Sequence, residues 1–401
     1  MRLFFFFLFF AFSAQAQYTS NDIVLIIGYG QSNAVGVAPQ TYGGIDLAPS
    51  PYNVTKIERD NRTGVLSFYR SQQYQTSVNE PTYEINRVSI MPMLGELMAQ
   101  YLISEGVNAE VLTISAAVNG AGITAIYKNT TYYNFMLRAI DSAKAYADRK
   151  GKNLRCAYVA FLHGESDATA NFGSYTAYLS GLADYLNTDI KARTGQTEDV
   201  RLILSQLGFS YWSDLSGTYP ARTMNICNAM IAGLSNSKIR IATPGYIAPL
   251  EGQEFYSKNF QASHYSGPGL RQMAPYFQAC WEATTWSSFT CTGAVLAGNE
   301  ITVTVTPLSG AVSLDATRIC KDGHYGFEFT SSGTPGVTIT GVTVLNSAQV
   351  KVTLSGTPTG TNTLYYAYSM NFQSGGLQYY RQNGAVKDAG GNFLNAFSKV
   401  L

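Results

Sequence analysis

The sequence predicts an α/β chain in which a three-layer domain built on a parallel sheet precedes a smaller antiparallel β-sandwich. From Asp22 to about Trp286, apolar runs of strand length alternate with amphipathic segments, the rhythm of helices covering both faces of a parallel sheet. Five apolar residues, Ile23 to Ile27, run into Gly28-Tyr-Gly-Gln-Ser32, as a fully buried strand stops at a tight turn. After Trp286 the pattern shifts to period two, in Glu300-Ile-Thr-Val-Thr-Val-Thr306 and Gln349-Val-Lys-Val-Thr-Leu354. Turn residues separate these runs, the pattern of a sandwich.

Met1-Arg2, the apolar run Leu3–Phe12 and the Ala-x-Ala ending of Ser13-Ala-Gln-Ala16 read as a cleavable signal peptide over residues 1–16. That run is too short to span a bilayer, and no later stretch has the length a transmembrane helix needs. The expectation is export, to the periplasm or the medium, without a membrane span. The domains then read as 17–287 for the α/β part and 288–401 for the sandwich.

Expected strands in the first domain are Ile23–Ile27, Glu110–Ser115, Ala157–Leu162, Arg201–Ser205 and Ile239–Thr243. The clearest helix is Tyr175–Arg193, where Leu179, Leu182, Leu186 and Ile190 share a stripe and Gly195 follows as a stop. Further helices are expected at Met93–Ser104, Asn134–Arg149, Ala221–Leu234 and Gly269–Ala283. The polar stretch Gln40–Arg87 breaks the rhythm. Leaving from the Ser32 end of the sheet, it reads either as a wall of a cleft or as surface decoration.

Charged residues are 13% of the chain and net charge is +1, against a usual ~25% charged. With no basic excess there is no electrostatic footprint for nucleic acid. A polar but uncharged surface carrying 28 tyrosines suits neutral polar partners such as glycans, because a tyrosine offers an apolar face with a hydrogen-bonding tip. Five cysteines cannot all pair within one chain. Cys156 reads as a buried thiol, and one bridge among Cys280, Cys291 and Cys320 fits their place near the domain junction.

In an open parallel sheet, ligands bind beyond the carboxyl ends of the strands, so Ser32 stands where chemistry is expected. A serine nucleophile needs a base, and the histidines are His163, His264 and His324. His324, in Lys321-Asp-Gly-His-Tyr325, reads as a turn residue of the sandwich. His264 lies in a loop after the fifth strand and opens on the Ser32 edge. His163 follows the third strand directly, with Glu165 and Asp167 at alternate positions beyond it. That trio allows a metal site or a hydrogen-bonded brace, but the deaminase Cys pair and His-Glu-x-x-His are missing. Asn33 breaks the dinucleotide glycine fingerprint, and Ala34 breaks the Gly-x-Ser-x-Gly elbow.

Four blocks in order, Gly30-Gln-Ser-Asn33, Ala116-Ala-Val-Asn-Gly-Ala-Gly-Ile123, His163-Gly-Glu-Ser-Asp167 and Ser263-His-Tyr-Ser-Gly267, resemble those of the SGNH hydrolases. Within that superfamily they resemble the sialate O-acetylesterase-like carbohydrate esterases, over roughly residues 22–284. The resemblance implies a flavodoxin-like three-layer parallel-sheet SGNH domain with Ser32 as nucleophile and His264 as general base. It implies an oxyanion hole formed by the amides of Ser32 and Gly120 and a polar group of the His163–Asp167 block. No metal or organic cofactor is implied, and the implied partner is an acetylated poly- or oligosaccharide.

The chain departs from the family at two positions. Gln261 stands where the family carries the Asp that orients the histidine, and His163 stands where it carries Gln. An amide at Gln261 fixes a tautomer but brings no charge. Glu165 or Asp167 can supply the carboxylate instead, or a backbone carbonyl can orient His264 in a Ser–His dyad. An imidazole N–H at His163 can stand in for the amide donor toward an oxyanion. Further along, Gly384-Ala-Val-Lys-Asp388 with Leu394-Asn-Ala-Phe397 resembles the end of a small β-domain appended to such esterases, which binds glycan, braces the cleft or only stabilises. The expected function is a secreted serine esterase removing O-acetyl groups from a carbohydrate. Two alternatives are a non-catalytic glycan-binding or adhesion protein with the same fold, and a lipase-like enzyme, whose long acyl groove finds little support in the polar Gln40–Arg87 stretch.

Overall fold

The computed structural model describes residues 18–35, 38–39, 54–59, 66–70, 87–170, 173–208, 218–248, 264–265, 267–318, 320–369, 371–374, 377–380 and 384–401. The signal-peptide expectation, Gln261 and most of Gln40–Arg87 lie outside them.

The α/β part contains strands β1 (Asp22–Gly30), β2 (Ala38–Pro39), β3 (Val54–Arg59), β4 (Leu66–Arg70), β5 (Arg87–Val88), β6 (Glu110–Ser115), β7 (Asn153–Leu162), β8 (Arg201–Gln206) and β9 (Ile239–Pro244). Its helices are α1 (Ser32–Val35), α2 (Met91–Ser104), α3 (Thr131–Arg149), α4 (Glu165–Ala170), α5 (Tyr175–Thr194), α6 (Thr218–Gly233) and α7 (Gly267–Glu282). The main sheet runs β4-β3-β6-β1-β7-β8-β9, parallel except for the edge pair β3/β4. Counting the five expected strands in chain order, they lie 2-1-3-4-5, the flavodoxin-like arrangement. The edge pair β3/β4 comes from the polar stretch Gln40–Arg87. Part of that stretch therefore extends the sheet instead of decorating it, which its irregular side-chain pattern conceals.

β1 is central, and all nine of its residues are buried. Its side chains alternate between two cores, as a strand's period of two requires. Ile23, Leu25, Ile27 and Tyr29 face a cluster that includes Met136 and Ile140 of α3, Leu179 and Leu186 of α5, and Met230 of α6. Val24 and Ile26 face Leu94 and Met98 of α2 and Met273 and Phe277 of α7. This is the expected three-layer stack. The Leu stripe of α5 is buried, and Gly195 ends the helix in the left-handed region at φ 77°, the conformation glycine adopts without penalty.

The second part consists of β10 (Cys291–Ala297), β11 (Glu300–Val305), β12 (Val312–Leu314), β13 (Phe327–Ser331), β14 (Ile339–Asn346), β15 (Gln349–Leu354), β16 (Asn362–Tyr366), β17 (Asn371–Ser374), β18 (Leu377–Tyr380), β19 (Val386–Asp388) and β20 (Phe397–Val400). They form an antiparallel sandwich whose larger sheets run β10-β11-β15-β14 and β13-β16-β20. The two alternating segments read from the sequence pair with each other, Ile301 opposite Val352 and Val303 opposite Val350, and these four side chains are fully buried.

All five cysteines are buried and none is in a disulfide, so the bridge expected among Cys280, Cys291 and Cys320 does not form. Cys280 sits in the core beneath α7 while Cys291 belongs to the other core. Burial pushes the Cys291 thiol up to about 11 and the Cys320 thiol up to about 12, which keeps them protonated and inert toward exchange.

The end of β1 is held open by glycine. Gly30 has φ +125°, and a Cβ there would lie 2.2 Å from the Leu162 carbonyl oxygen of β7. Gly30→Ala is expected to destabilise the chain by at least about 2 kcal/mol through backbone strain and strand separation, read as a lowered urea midpoint with an unchanged m-value.

Candidate active site

Three connections leave the carboxyl edge of the sheet beside one another and converge: the turn after β1, the loop after β6 and the loop after β7. The turn after β1 is fixed first. The Gln31 amide donates to the Leu162 carbonyl at 3.1 Å, and the Gln31 carbonyl accepts from the Ala34 and Val35 amides. Ser32 therefore sits at the start of α1, partly exposed, between the buried side chains of Gln31 and Asn33. Each flanking amide ties the turn to a neighbour. Gln31 Oε1 accepts from the Ser166 amide at 3.2 Å. Asn33 Nδ2 donates to Glu165 Oε1 at 2.5 Å, and Asn33 Oδ1 accepts from the Tyr265 amide at 3.0 Å.

That last bond matters because Tyr265 follows His264. It brings the partly exposed His264 to the Ser32 turn across 232 residues of sequence. Ser32 and the residue before Tyr265, His264, thus lie at one edge of the sheet. Glu165 joins them through Asn33, with its carboxylate turned toward that amide.

The block after β7 also grips the loop after β6. Ser166 Oγ donates to the Gly120 carbonyl at 3.0 Å, His163 Nε2 lies 2.9 Å from the Ala121 carbonyl oxygen, and Asp167 accepts from the Ile123 amide at 3.0 Å. Gly120 adopts φ +68°, the left-handed turn that the loop needs. Among the described residues, the amides of Ser32 and Gly120 donate to no acceptor.

His163 does not take the oxyanion role expected of it. A carbonyl can only accept, so the ring proton is on Nε2 and is given to Ala121, while Nδ1 accepts from the Tyr175 hydroxyl at 3.0 Å. The ring is 2% exposed and stacks on Phe161. Burial lowers its pKa to about 3, which removes it as a rival base at neutral pH. Asp167 likewise faces inward. It holds Ile123 and stands 3.6 Å from His163 Nδ1, so it braces the loop after β6 rather than reaching for His264. Burial raises its pKa to about 6, against the lowering effect of the Ile123 amide. Among the described residues no three His, Cys, Asp or Glu side chains converge as metal ligands.

Sequence reasoning does not identify Gln31 and Asn33 as ties. Their buried amides, immediately flanking a candidate nucleophile, were the available signal. Nothing in the sequence marked Tyr175, the first residue of a helix, as the partner of His163.

In fold the chain is a three-layer parallel-sheet domain of the SGNH type, extended by an antiparallel sandwich. Neither a scan against family models nor a search of curated proteins gives a match. Among solved structures the chain is similar to XAC1771, a carbohydrate acetylesterase from Xanthomonas citri, with a TM-score of 0.62 at 13% identity, over 94% of this chain and 80% of that one. It is also similar to NanS, with a TM-score of 0.45 at 15% identity over 66% and 98%. A third similar structure is the carbohydrate acetylesterase Est24 from Sinorhizobium meliloti, with a TM-score of 0.33 at 10% identity over 65% and 97%. The likeness to XAC1771 is one of fold and spans both the α/β part and the sandwich.

Two buried ionisable groups of this block, Asp167 and His163, oppose each other in pH. Asp167, raised in the folded state, contributes stability below its unfolded value of 3.8 that is lost as pH rises through about 6. His163, lowered in the folded state, contributes stability above its unfolded value of 6.5 that is lost as pH falls toward about 3. Asp167→Asn is therefore expected to gain stability relative to wild type as pH rises from about 4 to 6, by on the order of 2–3 kcal/mol. Urea unfolding of both proteins across that range measures the difference.

Proposed function

We propose that the protein is a serine esterase that removes O-acetyl groups from a carbohydrate through an acyl-enzyme. The observation that carries this reading is the Asn33 bridge, which brings the His264 loop onto the Ser32 turn while the Gly120 loop is gripped beside it. In this reading Ser32 Oγ attacks the acetyl carbonyl and His264 takes its proton. The resulting oxyanion lies within reach of the Ser32 and Gly120 amides, a contribution worth ~3 kcal/mol per donor in well-studied cases. The tetrahedral intermediate collapses with cleavage of the ester C–O bond, and His264 returns the proton to the departing sugar hydroxyl. Water, deprotonated by His264, then releases acetate from Ser32.

The block after β7 acts here as scaffold. His163, Ser166 and Asp167 hold the backbone that presents the Gly120 amide, and Glu165 holds Asn33. Gln261, which stands where the SGNH hydrolases carry the orienting Asp, lies outside the described residues, and Glu165 meets the loop through Asn33. The chain's composition, poor in charge and rich in tyrosine, supports a neutral saccharide as the acyl carrier. Export, which the signal-peptide reading implies, suits an extracellular polymer. No helix of the described residues is long and apolar enough to cross a membrane.

The test is hydrolysis of p-nitrophenyl acetate and release of acetate from a panel of acetylated polysaccharides. Ser32→Ala and His264→Ala are each expected to lower kcat by at least about a thousandfold. His163→Gln, which keeps an N–H donor for Ala121, should retain activity within about tenfold. Wild-type-like hydrolysis by Ser32→Ala would sink the esterase reading and favour a glycan-binding protein on the same fold.

A further inference from the structure

The sandwich is docked on the same edge of the sheet that carries the candidate site. Gln206, the last residue of β8, pairs with Ala396 as a strand would: its Nε2 donates to the Ala396 carbonyl at 2.9 Å and its Oε1 accepts from the Ala396 amide at 2.7 Å. On α6, Asn228 does the same with Ser398, donating to its hydroxyl at 2.8 Å and accepting from its amide at 3.2 Å. Just past β9, Tyr246 enters the sandwich itself. Its hydroxyl donates to the Leu394 carbonyl at 2.5 Å and so accepts from Tyr366, whose oxygen in turn accepts from the Val386 amide at 2.9 Å. The Tyr246 ring lies on Gly384, where a Cβ would come within 2.4 Å of it. Gly384 and Leu394 belong to the C-terminal segments singled out in the sequence.

Tyr246 is also one residue from the His264 loop's own support. A Cβ on Gly245 would lie 2.0 Å from the Tyr265 hydroxyl, so the Tyr265 side chain rests on the backbone of Gly245. The Tyr265 amide is the donor to Asn33. A continuous line of contacts therefore runs from Leu394 and Tyr366 through Tyr246 and Gly245 to Tyr265, and from there to His264 on one side and the Ser32 turn on the other. Asn228 belongs to the same dock but lies off this line.

We infer that Tyr246 is a positioning residue, through which the sandwich sets the placement of His264 against Ser32. The sandwich is thus part of the catalytic framework, beyond any stabilising effect. The inference rests on the reading of His264 as the base, yet its mechanical half, the coupling of Tyr246 to the Tyr265 amide, is measurable without any substrate.

The test compares Tyr246→Phe with Asn228→Ala in the full chain. Tyr246→Phe keeps the ring and loses the bond to Leu394; Asn228→Ala removes two docking bonds elsewhere. Hydrogen exchange of the Tyr265 amide is expected to accelerate about tenfold in Tyr246→Phe and to stay within about twofold of wild type in Asn228→Ala. On p-nitrophenyl acetate, kcat should fall about tenfold in Tyr246→Phe with KM unchanged, while Asn228→Ala lowers the melting temperature and leaves kcat within about twofold. Equal exchange in the two variants, or kcat falling in step with melting temperature in both, would overturn the inference. Faster exchange at Tyr265 in Tyr246→Phe, alongside a wild type that hydrolyses no ester, would sustain the coupling and reject the esterase reading instead.

Discussion

The carboxamide of Asn33 presents a donor and an acceptor on one rigid plane, and the site uses both. Its N–H group reaches Glu165 in the loop after β7, and its oxygen takes the Tyr265 amide beside His264. The side chain is buried, so water does not compete for either bond and an unmade one would cost a full desolvation. No other short residue type fits. Aspartate would lose the donor and set a second carboxylate against Glu165, whereas serine is too short and too free in rotation to span two loops. Because Asn33 is the immediate neighbour of Ser32, fixing its amide also fixes the serine. The approach of His264, more than two hundred residues away in the chain, follows from the same bond.

The loop opposite is held by a different logic. His163, Ser166 and Asp167 each take one backbone group between Gly120 and Ile123, leaving little freedom for the carbonyls and amides there. An oxyanion hole works only if its dipoles are aligned before the charge appears. A histidine suits the buried position because, kept neutral by burial, it presents one donor and one acceptor at opposite ends of a rigid ring. Ala121 takes the first and Tyr175 fills the second. The residue that departs from the family pattern thus does the work of an amide, as a brace for the loop.

Much of this arrangement is legible in the sequence. The five strands, the helices between them and the period-two segments after Trp286 announce themselves, because burial on two faces, or on one, leaves a periodic record. Ser32 and His264 are legible from their places after strands. The direction in which a buried side chain turns is not: His163, read as a donor toward an oxyanion, and Asp167, read as a carboxylate for His264, both face the protein, in the manner of the hydrogen-bonded brace that is the other reading of that trio. The edge strands β3 and β4 escape notice because an edge tolerates polar, irregular sequence. The cysteines mislead for a related reason: closeness in sequence to a domain junction does not place two thiols in the same core.

The dock between sheet and sandwich explains why the C-terminal segment can matter at a site so far from it in sequence. Domains joined by small polar contacts are expected to move against each other unless the shared surface is large and apolar. Here one apolar cluster runs without a break from Ile23 and Leu25 of β1 to Tyr246, Ile301, Tyr366 and Phe397. The polar bonds that cross it are paired side-chain amides, each fixing two backbone groups at once. Such a joint resists both sliding and rotation, so the Leu394 carbonyl is a fixed point as seen from β9. A tyrosine anchored there transmits the position of the sandwich to the adjacent backbone, and Tyr265 is packed against that backbone. The position of His264 relative to Ser32 is in this way set twice, once from the Ser32 turn by Asn33 and once from the sandwich by Tyr246.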